Sequence, residues 1–377
     1  MDIYILDKTL QNEFSIREVL DVYESLVWTE KFRDVGDFEL NLDWSVEKQR
    51  LLRPGTFIAI PQSRRVMMVL TRESEIDDEG FRKLKVTGES LETIFKMRHM
   101  QLVWEKKGPQ AKKIFVSGSY NGIAQWAIRD QMIENTSGNR IRNLKVQVPE
   151  GFPSYSSVPF PPPVPVEQGY IHDLLRNVCH QGDIGYRLLP VRPITRLTPI
   201  VFDAYTPRDR TKPDDYVIFG ELFENVSNVR TFSSLEGYFN RIWINSWPEA
   251  TTTYWHEDGA LEKDDFARRL GYHGMDVKSE LESEENTLTA KQIVRAQAEE
   301  FLAKAPPTFL VDGEMDHLTS TYEYEKHYHL GDLVHYVDVC SSRYKLRVEA
   351  QTFVSDDEGF RTYPTLAQYS KYNMNIS

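Results

Sequence analysis

Apolar and polar residues alternate with period two over residues 25–32 and again over 38–42. That is the pattern of strands with one buried face, and Gly36-Asp37 between them supplies the turn of a hairpin. A short helix is expected over 45–52. Three further strand-like runs follow at 57–60, 66–76 and 81–86, separated by Pro-Gln-Ser and Asp-Asp-Glu-Gly turn chemistry. Together these runs predict a meander able to close as a small barrel. From about residue 96 the period changes. Ile123, Ala124, Ala127, Ile128 and Met132 form an apolar stripe at helical spacing, and Ile171, Leu174, Leu175 and Val178 form a second. Between them the proline run at 159–165 is neither helix nor central strand, and reads as a stiff extended connection or, alternatively, a ligand for a proline-binding domain. Strands return at 238–247. An acidic irregular stretch leads to a helix opened by the capping box Thr289-Ala290-Lys291-Gln292, with Val294, Ala298, Phe301 and Leu302 on its apolar face, and Pro306-Pro307 stops it. The remaining chain predicts strands at 308–311, 333–339, 344–354 and from Phe360 onward.

A repeat joins the two strand-rich ends. Asp77-Asp78-Glu79-Gly80-Phe81-Arg82 recurs letter for letter as Asp356-Asp357-Glu358-Gly359-Phe360-Arg361. Upstream of each copy stand a glycine turn opening a strand, at Gly55 and at Gly331, and then a long strand, 65–76 or 343–354. One hairpin module used twice accounts for this, with small length differences absorbed in loops or a bulge. The competing explanation is that acidic glycine turns resemble one another because turn chemistry is a small menu.

Composition narrows the picture. The chain of 377 residues is long enough for two or three domains, and its 40% hydrophobic and 27% charged residues are those of a folded protein with a real core. Cys179 and Cys340 are too few for a disulfide framework and lack zinc-ribbon spacing, which suits synthesis in a reducing cytoplasm. No signal peptide and no membrane span are expected. A formal charge of −12 argues against broad adhesion to nucleic acid.

Candidate chemistry is sparse. His327 and His329 would share one face of a strand, with His317, His335 and His256-Glu257-Asp258 as further donors, but no zinc-type spacing supports a metal centre. The acidic run 280–285 reads as a solvated loop rather than a catalytic cleft. Gly118-Ser119-Tyr120-Asn121-Gly122 lacks the spacing of a phosphate-binding loop and reads as a turn before a helix. No catalytic, cofactor-binding or metal-ligating residues are assigned, no cofactor is expected, and the chain is expected not to be an enzyme.

Several segments resemble the hub or tail-tip minor proteins of long-tailed phages, whose members include trimeric baseplate hubs. They are the Met-Asp-Ile-Tyr-Ile-Leu start, Trp28-Thr29-Glu30-Lys31-Phe32 with Gly36-Asp37-Phe38-Glu39-Leu40, Leu52-Arg53-Pro54-Gly55, the helix at 289–304 and Tyr328-His329-Leu330-Gly331-Asp332-Leu333-Val334. The resemblance implies an α+β, mainly β fold with two tube-like β-barrels related by the internal repeat. Residues 1–95 would form the first barrel, 96–215 with 250–306 an α/β middle portion, and 216–249 with 307–377 the second barrel. It further implies a homotrimeric ring at the virion tail tip that adapts a six-fold tail tube to a three-fold tip and lets DNA pass during ejection, without specific nucleic-acid binding. Expected partners are a distal tail or tube protein above, tail-tip or receptor-binding proteins below, and the tape measure protein. Many relatives carry a further C-terminal domain that cleaves cell wall or binds a receptor. With only about sixteen residues beyond the second copy of the repeat, none is expected here. The alternative reading is a tail-tip cell-wall hydrolase or glycan-binding protein.

Overall fold

The structure is a computed structural model that describes residues 1–76, 80–100, 113–116, 118–134, 139–147, 164–167, 169–191, 194, 197–247, 252–256, 266, 268–276, 294–295, 297–298, 301–302, 308–316, 321–368 and 374–376. The first ninety residues form β1 (Ile3–Lys8), β2 (Phe14–Leu20), β3 (Ser25–Lys31), β4 (Asp37–Asp43), α1 (Val46–Leu51), β5 (Phe57–Ala59), β6 (Met67–Ile76) and β7 (Arg82–Ser90). Their hydrogen-bonded order is β3-β4-β7-β6-β5-β1-β2. The expected hairpin at Gly36-Asp37 is β3–β4, and the expected helix is α1, whose first turn is capped by Ser45 Oγ accepting from Lys48 N at 3.0 Å. Alternation sends Leu26 and Trp28 of β3 inward, where they meet Ile3, Ile5 and Leu20 from the far end of the run. The sheet therefore curls over one core.

The middle of the chain contributes β8 (Lys113–Val116), α2 (Tyr120–Ile128), β9 (Lys145–Val146), β10 (Val164–Glu167), α3 (Ile171–Gly182), β11 (Gly185–Pro190) and β12 (Ile200–Tyr205). The apolar stripes of α2 and α3 pack in one core with Leu6, Phe14, Ala59 and Val66. Within β5 Ala59 faces this core while Ile58 faces the first, so the middle segment sits on the outside of the curled sheet. Pro165 lies in β10, which pairs only with β8 among the described strands, a place where its missing N–H is tolerated. Residues 159–163, the rest of the expected strut, lie outside the described residues.

The rest comprises β13 (Ile218–Phe219), β14 (Ser227–Ser234), β15 (Arg241–Trp247), β16 (Thr252–His256), β17 (Leu270–Asp276), β18 (Thr308–Asp316), β19 (Leu333–Val337), β20 (Arg343–Asp356), β21 (Gly359–Gln368) and β22 (Met374–Ile376). Between β14 and β18, which pair with each other, the chain makes an excursion into a small sheet of order β17-β15-β16-β22. Helical residues Val294, Ala298 and Leu302 pack on Ile242 and Ile244 of β15, as their expected apolar face requires. The capping box at 289–292 lies outside the described residues.

The two copies of the repeat are built alike. β5-β6-β7 and β19-β20-β21 are antiparallel meanders, each opened by a glycine with positive φ, Gly55 at 90° and Gly331 at 88°. Pairing shifts register past Leu70 in one and Glu349 in the other, each ten residues before the shared turn glycine. The hairpin ends differ: the last pair is Ile76 with Arg82 in the first copy and Asp356 with Gly359 in the second. The flanking order also corresponds, β3-β4-β7-β6 in one half and β14-β18-β21-β20 in the other. The fold is mainly β, as expected. The barrels, however, do not close among the described strands. The distal part of β20 pairs with β3, so thirteen strands share one open sheet from β14 to β2.

Candidate assembly surface

The two halves meet where Ala350 to Ser355 of β20 run antiparallel to Lys31 to Leu26 of β3. Thr29 and Thr352 exchange a hydrogen bond of 3.2 Å across this seam on one face, while Trp28 stands opposite Phe353 on the core face. Alternation puts Glu30 on the core side too, where it is buried. Its carboxylate accepts from Tyr324 Oη at 2.8 Å and from the Ser63 hydroxyl, and Arg65 Nε lies 3.6 Å away. Arg65 also pairs with buried Glu92, which accepts the Leu188 N–H of β11 at 2.8 Å. One guanidinium thus ties β3, the turn after β7 and the middle segment. Burial pushes the Glu30 carboxyl above the usual range, against the pull of the Arg65 charge and the two hydroxyl hydrogen bonds.

A second ionic knot lies beside the first. The Phe32 ring meets two guanidinium groups, Arg33 at 4.4 Å from its centroid and Arg347 at 5.2 Å. Both guanidinium groups bind Asp183, the left-handed cap of α3, Arg347 at 2.8 Å. Arg33 Nε also donates to Ile184 O at 3.1 Å, and Arg347 Nη1 to Gly331 O at 2.8 Å. Burial opposes the Asp183 charge, but Arg347 and Arg33 together hold the carboxyl below its usual range. Three parts of the chain are thereby tied together, through two buried guanidinium groups and a carboxylate that stays partly exposed.

Outward from the seam the sheet presents a polar face. It carries Thr29 and Lys31 of β3, Asp37, Glu39 and Asn41 of β4, and Lys83, Lys85 and Thr87 of β7, all alternating with core residues. Its basic groups are matched by acids. Lys85 meets Glu39 at 2.8 Å, Lys83 meets Asp43 at 2.9 Å and also Glu24, and Lys31 meets Asp37. Hydrogen bonds from Lys85 and Asn41 hold the Glu39 carboxyl below its ordinary value. Arg361 of β21 binds Asp356 at 2.5 Å and Glu358, and lies 3.9 Å from Glu314. A face of this kind is well hydrated yet nearly neutral in small patches.

The histidines fall elsewhere than expected. His327 sits in a turn, not on a strand with His329, because residues 321–330 close through the pairing of Tyr324 with Tyr328, and its Nδ1 accepts from Glu323 N at 2.9 Å. His329 lies 3.3 Å from the Arg210 guanidinium, a poor neighbour for a cation, and His335 of β19 stacks on Tyr216. Among the described residues no cluster of three or more His, Cys, Asp or Glu is arranged to hold a metal. His317, Glu257, Asp258 and the acidic run 280–285 lie outside the described residues. Ser119 caps α2, accepting from Gly122 N at 3.2 Å, which is the expected turn before a helix. Cys179 is buried and its thiol is pushed up to about 12 by desolvation. The ionic knots were not expected from the sequence. The available signal was Glu30 at the inward parity of Leu26 and Trp28.

Among the described residues no helix is long and apolar enough to cross a membrane. The architecture is that of phage tail proteins. A crystal structure of a 43 kDa tail protein of prophage MuSo2 from Shewanella oneidensis matches with a TM-score of 0.57 and 14% identity over 98% of each chain. A tail protein from Neisseria meningitidis MC58 matches with a TM-score of 0.57 and 10% identity over 97% of this chain and 96% of that one. The prophage tail protein gp18 from Listeria monocytogenes reaches 0.50 at 12% identity, over 98% and 95%. At the level of sequence, the chain belongs to the Siphovirus ReqiPepy6 Gp37-like protein family, whose model matches residues 2–363. No curated protein matches it. The resemblance to tail proteins of long-tailed phages is borne out at family level.

Proposed function

We propose that this protein is a structural hub subunit of a phage tail tip, acting as a homotrimeric ring rather than as an enzyme. The observation that carries the reading is the edge-to-edge seam of β3 and β20, which sets two copies of one meander side by side in a continuous sheet. Three such chains would present six equivalent units, the number a six-fold tail tube requires, on a three-fold base. Residues 1–95 and 216–249 with 307–377 form the two tube-like units of this reading, and 96–215 with 250–306 the middle portion beside them. In this reading the open polar face turns inward and lines the channel through which DNA passes, with the middle segment held away from it. A distal tail or tube protein would sit above the ring, with tip or receptor-binding proteins below and the tape measure protein in contact.

Two measurements on the purified chain test this. Its mass in solution is expected to be that of three chains, and host cell walls are expected to remain intact when incubated with it. A one-chain mass at every concentration overturns the ring, and release of wall fragments favours the hydrolase reading. Electron microscopy of tails carrying a tagged copy is expected to place it at the tip.

A further inference from the structure

The repeat makes the seam between halves transferable. β20 beyond its bulge is covered by β3, but the equivalent edge of β6, Thr71 to Ile76, carries no strand among the described residues. At the other end of the sheet β14 holds the position that β3 holds in the first half, and its outer edge is likewise uncovered among the described residues. We propose that these two edges pair between copies, β14 of one chain adding antiparallel to the distal part of β6 in the next. The partner is a second copy of this chain.

The register follows from the structure. Carrying β3 onto β14 through their neighbours β4 and β18, and β20 onto β6 through the shared bulge, sets Arg230 opposite Glu75 and Val229 opposite Ile76. An opposite-charge pair falls on the polar face, and an apolar pair falls on the core face. Arg230 and Glu75 are exposed in the single chain, and Ile76 is 62% exposed. At the existing seam the counterpart of Ile76, Ser355, is buried, and Phe360 stacks on Phe353 at 6.3 Å over the first core. In the repeated turn sequence Phe360 corresponds to Phe81, which is 62% exposed and precedes Arg82, the partner of Ile76. The contact is heterologous, since β6 meets β14 and not another β6, so repetition continues past two copies and makes a ring where the rotation closes. Long exposed strand edges are otherwise an aggregation hazard, which a closed ring removes.

This inference rests on the ring reading but fails separately from it. In full-length protein carrying Cys340→Ser, Arg230→Cys and Glu75→Cys are introduced together, and mild oxidation is followed on a non-reducing gel. A ladder of covalent species reaching three chains is expected, with neither single cysteine variant giving it. Arg230→Glu alone is expected to weaken assembly several-fold, and adding Glu75→Arg to restore it. A wild-type mass of three chains without the cross-link, and with charge reversal silent, overturns the edge pairing while leaving the ring standing. A cross-linked product that stops at two chains points to a symmetric dimer and overturns it as well. A one-chain wild-type mass with no cross-link overturns both.

Discussion

Glu30 shows how a single side chain reports on the join between halves. It stands at an inward position of β3, and only Arg65, Ser63 and Tyr324 make that position tolerable for a carboxyl group. Since its folded pKa lies above the unfolded one, protonation favours the folded state. Its stabilising contribution is full below the ordinary glutamate range and is lost as pH rises through the raised folded value. Glu30→Gln removes that titration and leaves Arg65 paired with Glu92. The stability of the variant relative to wild type is therefore expected to increase from pH 4.5 to pH 8, measured by denaturant unfolding. A relative stability that falls over this range would show Glu30 to be ionised in the fold. Arg65→Met removes the common partner of two buried carboxylates, and is expected to cost about 3–5 kcal/mol in the same measurement.

The paired meanders were the most legible elements, because period-two alternation and a glycine turn are both local signals. The alternation at 25–32 and 38–42 became β3 and β4, and the identical turn sequences stand between the paired strands β6 and β7 and between β20 and β21. What stayed hidden was non-local. Nothing near residue 350 announces that β20 will run alongside β3, and the bulges that redirect β6 and β20 leave no residue signature shared by Leu70 and Glu349. The short strands β1 and β2 also escaped notice, as did the turn that takes His327 off any strand. Gly88 illustrates a tertiary demand of this kind. A Cβ there would lie 2.0 Å from Met68 O and 2.5 Å from Phe38 Cε1, so β7 can pass its neighbours closely only as glycine. Gly88→Ala is expected to destabilise by about 1–3 kcal/mol through forced separation of packed strands. Gly359 has open space around its Cβ position but a φ of 114°, so Gly359→Ala is expected to cost about 1–2 kcal/mol from backbone strain alone. An unchanged stability at either site would contradict this assignment of causes.

At the scale of the molecule, the family was legible from ordered short segments spread along the chain, whereas the merging of both halves into one sheet was not, because it depends on pairing between residues more than three hundred positions apart. That merging decides where the charge lies. The formal charge of −12 says nothing about placement, but the polar face does: Lys31, Lys83 and Lys85 each have an acidic partner. If this face lines a channel, sliding DNA meets lysines already engaged, and few counterions are released on contact. The wild-type assembly is therefore expected not to retain double-stranded DNA at physiological ionic strength. Removing the partners tests the cause. Glu24→Gln, Glu39→Gln and Asp43→Asn together remove the ion-pair partners of Lys83 and Lys85, two lysines in each chain and about six around a ring of three. DNA retention is then expected to appear and to weaken by about 10³-fold between 50 and 200 mM salt, the dependence of roughly six phosphate contacts. Filter binding of a short duplex across that salt range reads both quantities. Salt-sensitive binding by the wild-type ring would show that the face grips DNA. An unchanged triple variant would show that these lysines do not face the channel.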